Sequence, residues 1–176
     1  MESLRKLVRT IPDYPKPGIM FRDLTTLMRD GDGFRATIAA LVKPYEAAQI
    51  NAVAAIEARG FVFGAAVAER LGVGFIPIRK KGKLPWTTIG QQYTLEYGVD
   101  TIEIHLDAVR TGERILIVDD LIATGGTAEA AVKLVSRIGG IVVGAAFVVD
   151  LPELGGVKLL EKHGVKSHCL MTFEGH

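Results

Sequence analysis

Short, uninterrupted apolar runs separated by stretches of helical period dominate the hydrophobic pattern of this chain. Residues 52–56, 75–78, 115–118 and 140–149 are apolar without alternation, which suits strands buried on both faces of a parallel sheet. Between them, residues 61–71 read as a helical run, and residues 128–138 carry Ala, Val and Leu at helical spacings. A helix containing residues 159–162 and a final strand over residues 168–173 close the series. From Thr101 onward, Ile102, Ile104 and Leu106 alternate with polar residues, as in an antiparallel or edge strand. Buried strands alternating with helices predict a doubly wound α/β domain with a mostly parallel sheet.

The amino-terminal part departs from this alternation. Ser3 is placed to cap a short helix through about Arg9, with Leu4, Leu7 and Val8 on one face. Residues 11–18 hold three prolines and a glycine, which excludes regular helix and fixes an extended, turn-rich path. Residues 19–25 suit either a flat pocket whose backbone supplies donors and acceptors, or a core segment with Arg22 and Asp23 on the surface. Gly31, Gly33 and Ala36 match a loose dinucleotide fingerprint, but no buried strand precedes them. Asp32 reads instead as the cap of a helix to about Lys43, which Pro44 ends or kinks.

Polar chemistry collects where the apolar runs stop. Asp119 and Asp120 follow residues 115–118 directly. Neighbours in an extended segment point to opposite sides, and like charges at a strand's end repel unless cations or hydroxyls sit between them. The pair therefore predicts a polyol or a metal. Next come Ala123, Thr124, Gly125, Gly126 and Thr127, where two glycines let successive N–H groups turn inward and two threonines add hydroxyl donors. With the positive end of a helix behind it, such a loop holds a phosphate. A Walker loop would need a lysine after the second glycine, where this chain has Thr127. Glu57, Ala58, Arg59 and Gly60 likewise follow a strand; Arg59 suits either a pyrophosphate or a surface salt bridge. Arg79, Lys80, Lys81 and Lys83 put four cations in five residues. By charge alone they are a solvated face, but at a strand end beside Gly82 and Pro85 they look built to bind an anion and move.

The two acids and the loop from Ala123 to Thr127 closely resemble the phosphoribosyl-pyrophosphate (PRPP) motif of the type I phosphoribosyltransferases. That resemblance implies the type I fold. It sets Asp119 and Asp120 on the ribose hydroxyls and, through water, near Mg2+ carried mainly by PRPP, with the loop on the 5′-phosphate. It assigns Arg59, Lys80 and Lys83 to pyrophosphate, gives little weight to Glu57, where relatives often have Asp, and makes residues 80–97 approximately a flexible lid. Pro17, Gly18, Phe21 and Arg22 narrow the resemblance to the adenine phosphoribosyltransferases, bacterial ones in particular. On that basis residues 1–33 form an arm and a hood over the base, and residues 34–176 the catalytic core of a single domain. Met20 and Arg22 would meet adenine through their backbone, Phe21 would stack on it, and Glu96 would act as acid or base beside it when the lid shuts. The implied reaction is adenine + PRPP → AMP + pyrophosphate, a Mg-dependent pentosyl transfer of purine salvage, in a homodimer. Relatives that use 6-oxopurines typically carry an Asp where this chain has Ala123, which favours adenine over hypoxanthine, guanine or xanthine.

Composition removes other classes. Twenty-one Lys and Arg against 20 Asp and Glu leave a formal charge of +1, and a regulator binding nucleic acid on the same fold would need a basic face. Cys169 is the single cysteine, and His105, His163, His168 and His176 show no zinc-ligand spacing. The first residues are of mixed charge rather than an apolar signal, and no apolar run approaches the roughly 20 residues that span a bilayer. The expectation is a cytoplasmic enzyme with small-molecule partners and neither nucleic acid nor membrane.

Overall fold

The computed structural model describes residues 1–95 and 98–175. The chain begins with α1 (Glu2–Arg5), followed by β1 (Arg9–Pro12) and β2 (Met20–Asp23), an antiparallel pair that forms a sheet of its own. Ser3 does not cap α1. Met1 takes that position without a side-chain hydrogen bond, and the helix stops early because Arg9 already pairs with Asp23 across β1 and β2. Pro12 ends β1, and Pro15 and Pro17 lie in the connection between these strands.

Next come α2 (Thr25–Arg29) and α3 (Gly31–Val42). Asp30, not Asp32, caps α3. Asp30 is extended, so its Oδ1 reaches the Gly33 N–H at 2.7 Å and satisfies one of the helix's orphan donors. Asp32 already lies in the first turn, paired with Arg35 at the surface. Pro44 sits in the 3-10 turn that ends the helix.

The remainder runs β3 (Ala52–Ile56), α4 (Arg59–Leu71), β4 (Gly74–Lys80), β5 (Thr88–Leu95), β6 (Gly98–His105), β7 (Arg114–Ile122), α5 (Gly126–Arg137), β8 (Ile141–Asp150), α6 (Gly156–Lys162) and β9 (Ser167–Thr172). Among the described residues the larger sheet has seven strands in the order β5-β6-β4-β3-β7-β8-β9. Pairing is parallel from β4 through β9, while β6 and β5 continue it antiparallel as a hairpin. This is the expected α/β architecture with a mostly parallel sheet.

Burial explains the unalternating runs. Leu116 and Val118 join Val53, Ala55, Phe63 and Val67 in one core, whereas Ile115 and Ile117 join Ala54, Ile56, Leu134 and Leu160 in the other. Helices α3 and α4 thus cover one face of the sheet, and α5 and α6 the other. Each large aliphatic or aromatic side chain buried this way contributes about 1.5–3 kcal/mol.

Two of the boundaries that differ from the sequence pattern bear directly on the site. Strand β7 continues past Val118 because Leu121 and Ile122 keep pairing with Val149 and Asp150 of β8, so both carboxylates sit inside the strand. Helix α5 starts at Gly126, so the second half of the glycine loop is already its first turn. The consequence for the site is topological: β3 lies between β4 and β7, and the crossovers on its two sides leave a crevice at the carboxyl ends of the strands.

Candidate active site

A cleft of about 310 Å³ opens at that crevice, lined by residues 56–59 and 119–128 together with Lys80, Tyr93 and Ile102. Three strand ends, β3, β4 and β7, therefore bring their polar residues to one place.

The first turn of α4 serves both carboxylates. Arg59 Nε donates to Asp120 Oδ2 at 2.5 Å, while a Cβ on Gly60 would meet Asp119 Oδ1 at 2.5 Å, so only glycine leaves that acid room. Asp119 Oδ1 accepts the Asp120 N–H at 2.8 Å. Asp120 is buried, and Asp119 opens toward the cleft although protein atoms ring it. Burial, and then the neighbouring Asp120, push the Asp119 carboxyl well above the usual range; the Asp120 N–H and Arg59 only partly offset this. For Arg59, burial works against the charge, but Asp120, and beyond it Asp119 and Asp23, more than offset that and hold the guanidinium charged.

The loop after β7 has the geometry of an anion nest. Gly125 takes φ 83°, and a Cβ there would meet Gly156 Cα at 2.8 Å and its carbonyl oxygen at 2.9 Å. Gly156 N–H in turn donates to Ala123 O at 3.0 Å, so the start of α6 backs the loop. The free N–H groups at the start of α5 and the Thr124 and Thr127 hydroxyls then surround space suited to a dianion.

The cations are less free than their sequence suggested. Glu57, whose side chain is only 7% exposed, accepts from Arg79 Nη2 at 3.0 Å, from the Lys80 N–H at 2.5 Å and from Lys83 Nζ at 3.4 Å. Burial raises the Glu57 carboxyl, but the Lys80 N–H and Arg79 outweigh it and leave it below its ordinary value. Lys80 Nζ pairs with Asp100 Oδ2 at 3.0 Å. Of the expected pyrophosphate residues, Arg59 and Lys80 line the cleft, whereas Lys83 is not among its lining residues.

Residues 31–170 match the family of the phosphoribosyl transferase domain. An adenine phosphoribosyltransferase of Parvibaculum lavamentivorans is 60% identical over 174 residues, covering 99% of each chain. The chain belongs to the adenine phosphoribosyltransferase family. Two crystal structures from that family superpose along nearly its whole length. The adenine phosphoribosyltransferase of Rhodothermus marinus gives a TM-score of 0.93 at 49% identity, covering 98% of this chain and 97% of its own. That of Saccharomyces cerevisiae, complexed with adenine and an imino-altritol bisphosphate, gives 0.90 at 36% identity and 97% coverage of each.

For a member of this family, the remaining expected residues fall as follows. Asp119, Asp120 and all of Ala123, Thr124, Gly125, Gly126 and Thr127 line the cleft. Met20, Phe21 and Arg22 lie on β2 outside that lining, but the Arg59 guanidinium carbon stands 5.8 Å from the centre of the Phe21 ring, which joins the hood to the cleft. The Arg22 side chain points elsewhere, donating to Thr10 Oγ1 at 2.6 Å and Glu174 O at 2.7 Å. Glu96 lies outside the described residues, as do Tyr97 and His176. Sequence reasoning gave little weight to Glu57 and missed Tyr93 and Asp100. Tyr93 is the one aromatic residue of its strand, and that was the available signal.

Proposed function

We propose that the chain transfers the 5-phosphoribosyl group of PRPP to adenine, giving AMP and pyrophosphate. The observation that carries this reading is the convergence of Arg59, the two carboxylates and the phosphate nest on one cleft. PRPP presents matching groups in the same order: a pyrophosphate, two ribose hydroxyls and a 5′-phosphate. In this reading the nest of residues 123–127 takes the 5′-phosphate, Asp119 and Asp120 accept from the 2′- and 3′-hydroxyls, and Arg59, Lys80 and Lys83 meet the pyrophosphate. Holding both ends of the sugar fixes its anomeric carbon for attack.

The purine N9 forms the new bond to that carbon while the bond to pyrophosphate breaks and its electron pair leaves with the pyrophosphate. Cations at the leaving group and carboxylates near the sugar stabilise the oxocarbenium-like stage. The proton lost from the base needs one nearby acceptor, and Glu96 remains the candidate on sequence grounds. When bound, Mg2+ supplies further positive charge at the pyrophosphate. Among the described residues no group of three or more His, Cys, Asp or Glu is placed to cage a metal ion. Asp119 and Asp120 suit an ion that arrives with phosphates and keeps waters, and a cation beside them would relieve the strain on the Asp119 charge.

Adenine fits the hood because Met20 and Arg22, two residues apart on β2, direct backbone groups to the same edge. The movable lid at approximately residues 80–97, the homodimer and the cytoplasmic location expected from the sequence belong to the same proposal. Adenine-dependent release of pyrophosphate from PRPP and Mg2+ tests the reaction. Asp120→Asn is expected to lower kcat/KM for PRPP tenfold or more, because a charge-assisted hydrogen bond is worth about 1.5–3 kcal/mol. Unchanged PRPP kinetics in both Asp119→Asn and Asp120→Asn would remove the ribose from this position.

A further inference from the structure

Tyr93 connects two parts of the cleft that the reaction treats separately. Its ring lies beside the nest, where a Cβ on Gly126 would come 3.9 Å from Tyr93 Cδ2. Its hydroxyl donates to Asp100 Oδ2 at 3.2 Å and also meets the Thr127 side chain. With its one proton committed to a carboxylate, the Tyr93 oxygen is left to accept from the Thr127 hydroxyl. Asp100 Oδ2 holds Lys80 Nζ, and Asp100 Oδ1 accepts the Thr101 N–H at 2.7 Å, which locks the carboxylate. A continuous path of polar contacts therefore runs from the phosphate nest to the ammonium of Lys80.

We infer that Asp100 and Tyr93 are positioning residues for the transfer, holding the Lys80 ammonium in place for the pyrophosphate group and tying it to the nest at Thr127. This rests on the pyrophosphate role proposed for Lys80. Lys80 has a long side chain, 56% exposed, whose rotamer freedom would otherwise be lost each time it met an anion. Asp100 could instead act as a competitor that occupies Lys80, but two observations favour support. Lys80 lines the cleft and Asp100 does not, so the carboxylate stands behind the ammonium. An ammonium with one donor on Asp100 also keeps two for the ligand.

Calorimetric titration of pyrophosphate with Mg2+ into the full-length chain tests this. Asp100→Ala is expected to weaken binding about two- to tenfold, the cost of ordering one long side chain. Tyr93→Phe, which keeps the ring against Gly126, should weaken it in the same direction. Because both residues act through Lys80, neither substitution should add more than about twofold in a Lys80→Ala background. Asp100→Asn, which keeps the shape, stands in should Asp100→Ala fail to fold, with a smaller loss expected. Binding as tight as wild type or tighter in the Asp100 variants, or full additivity with Lys80→Ala, would overturn the inference. A Lys80→Ala chain that binds pyrophosphate as well as wild type would overturn the role of Lys80 and the inference with it, a pattern distinct from the others.

Discussion

Burial and a second carboxylate both resist ionisation of Asp119. A carboxyl whose pKa is raised on folding costs nothing below its unfolded value of about 4; the cost grows as the pH rises from there to the folded value and is full above it. Asp119→Asn keeps an acceptor for the Asp120 N–H and removes the charge. Thermal scanning of the ligand-free variant should therefore show a higher melting temperature than wild type at pH 8, by about 2–4 °C per kcal/mol relieved, and a smaller gain at pH 4. A variant no more stable at pH 8 would mean that the charge is already accommodated. Glu57 is the opposite case, since its cationic partners outweigh its burial and its net shift is downward. The two acids show that a carboxylate's environment, not its type, sets the direction of its shift.

At the scale of elements, burial on both faces decided what was legible. Ala52–Ile56 could be read to the residue because no alternation blurs a strand with a core on each side. The end of β7 could not, since its extension to Ile122 depends on pairing with β8 some thirty residues away in sequence. Caps failed for a local reason: Asp30 and Asp32 are both plausible acceptors two residues apart, and backbone angles select between them. Glu57 was underrated because its partners Arg79 and Lys83 lie 22 and 26 residues on. The glycine loop was legible as a turn because a left-handed position that lies against another backbone admits little but glycine. Gly125→Ala illustrates the point, since it would strain φ 83° and push a methyl group against the Gly156 backbone. We expect it to cost about 1–3 kcal/mol of stability and to abolish measurable ribose 5-phosphate binding by calorimetry. Retained affinity would exclude the loop as the phosphate site.

For the whole molecule, what remains is the choice of base, because PRPP would satisfy the cleft of any relative with the same motif. Ala123 gives the loop a methyl group rather than a carboxylate, and in the proposed function β2 meets the base with fixed backbone groups instead of adjustable side chains. A 6-aminopurine with a bare N1 and a 6-oxopurine with N1–H present opposite donor and acceptor patterns, so one set of fixed groups suits only one of them. Each mispaired buried group costs about 1–3 kcal/mol, and two together give roughly a hundredfold or more. The most direct measurement is nucleotide formation from PRPP and Mg2+ with adenine and hypoxanthine supplied in competition. The account predicts AMP, with kcat/KM for adenine at least about a hundredfold above that for hypoxanthine. Comparable turnover of the two bases, or none of adenine, would contradict it.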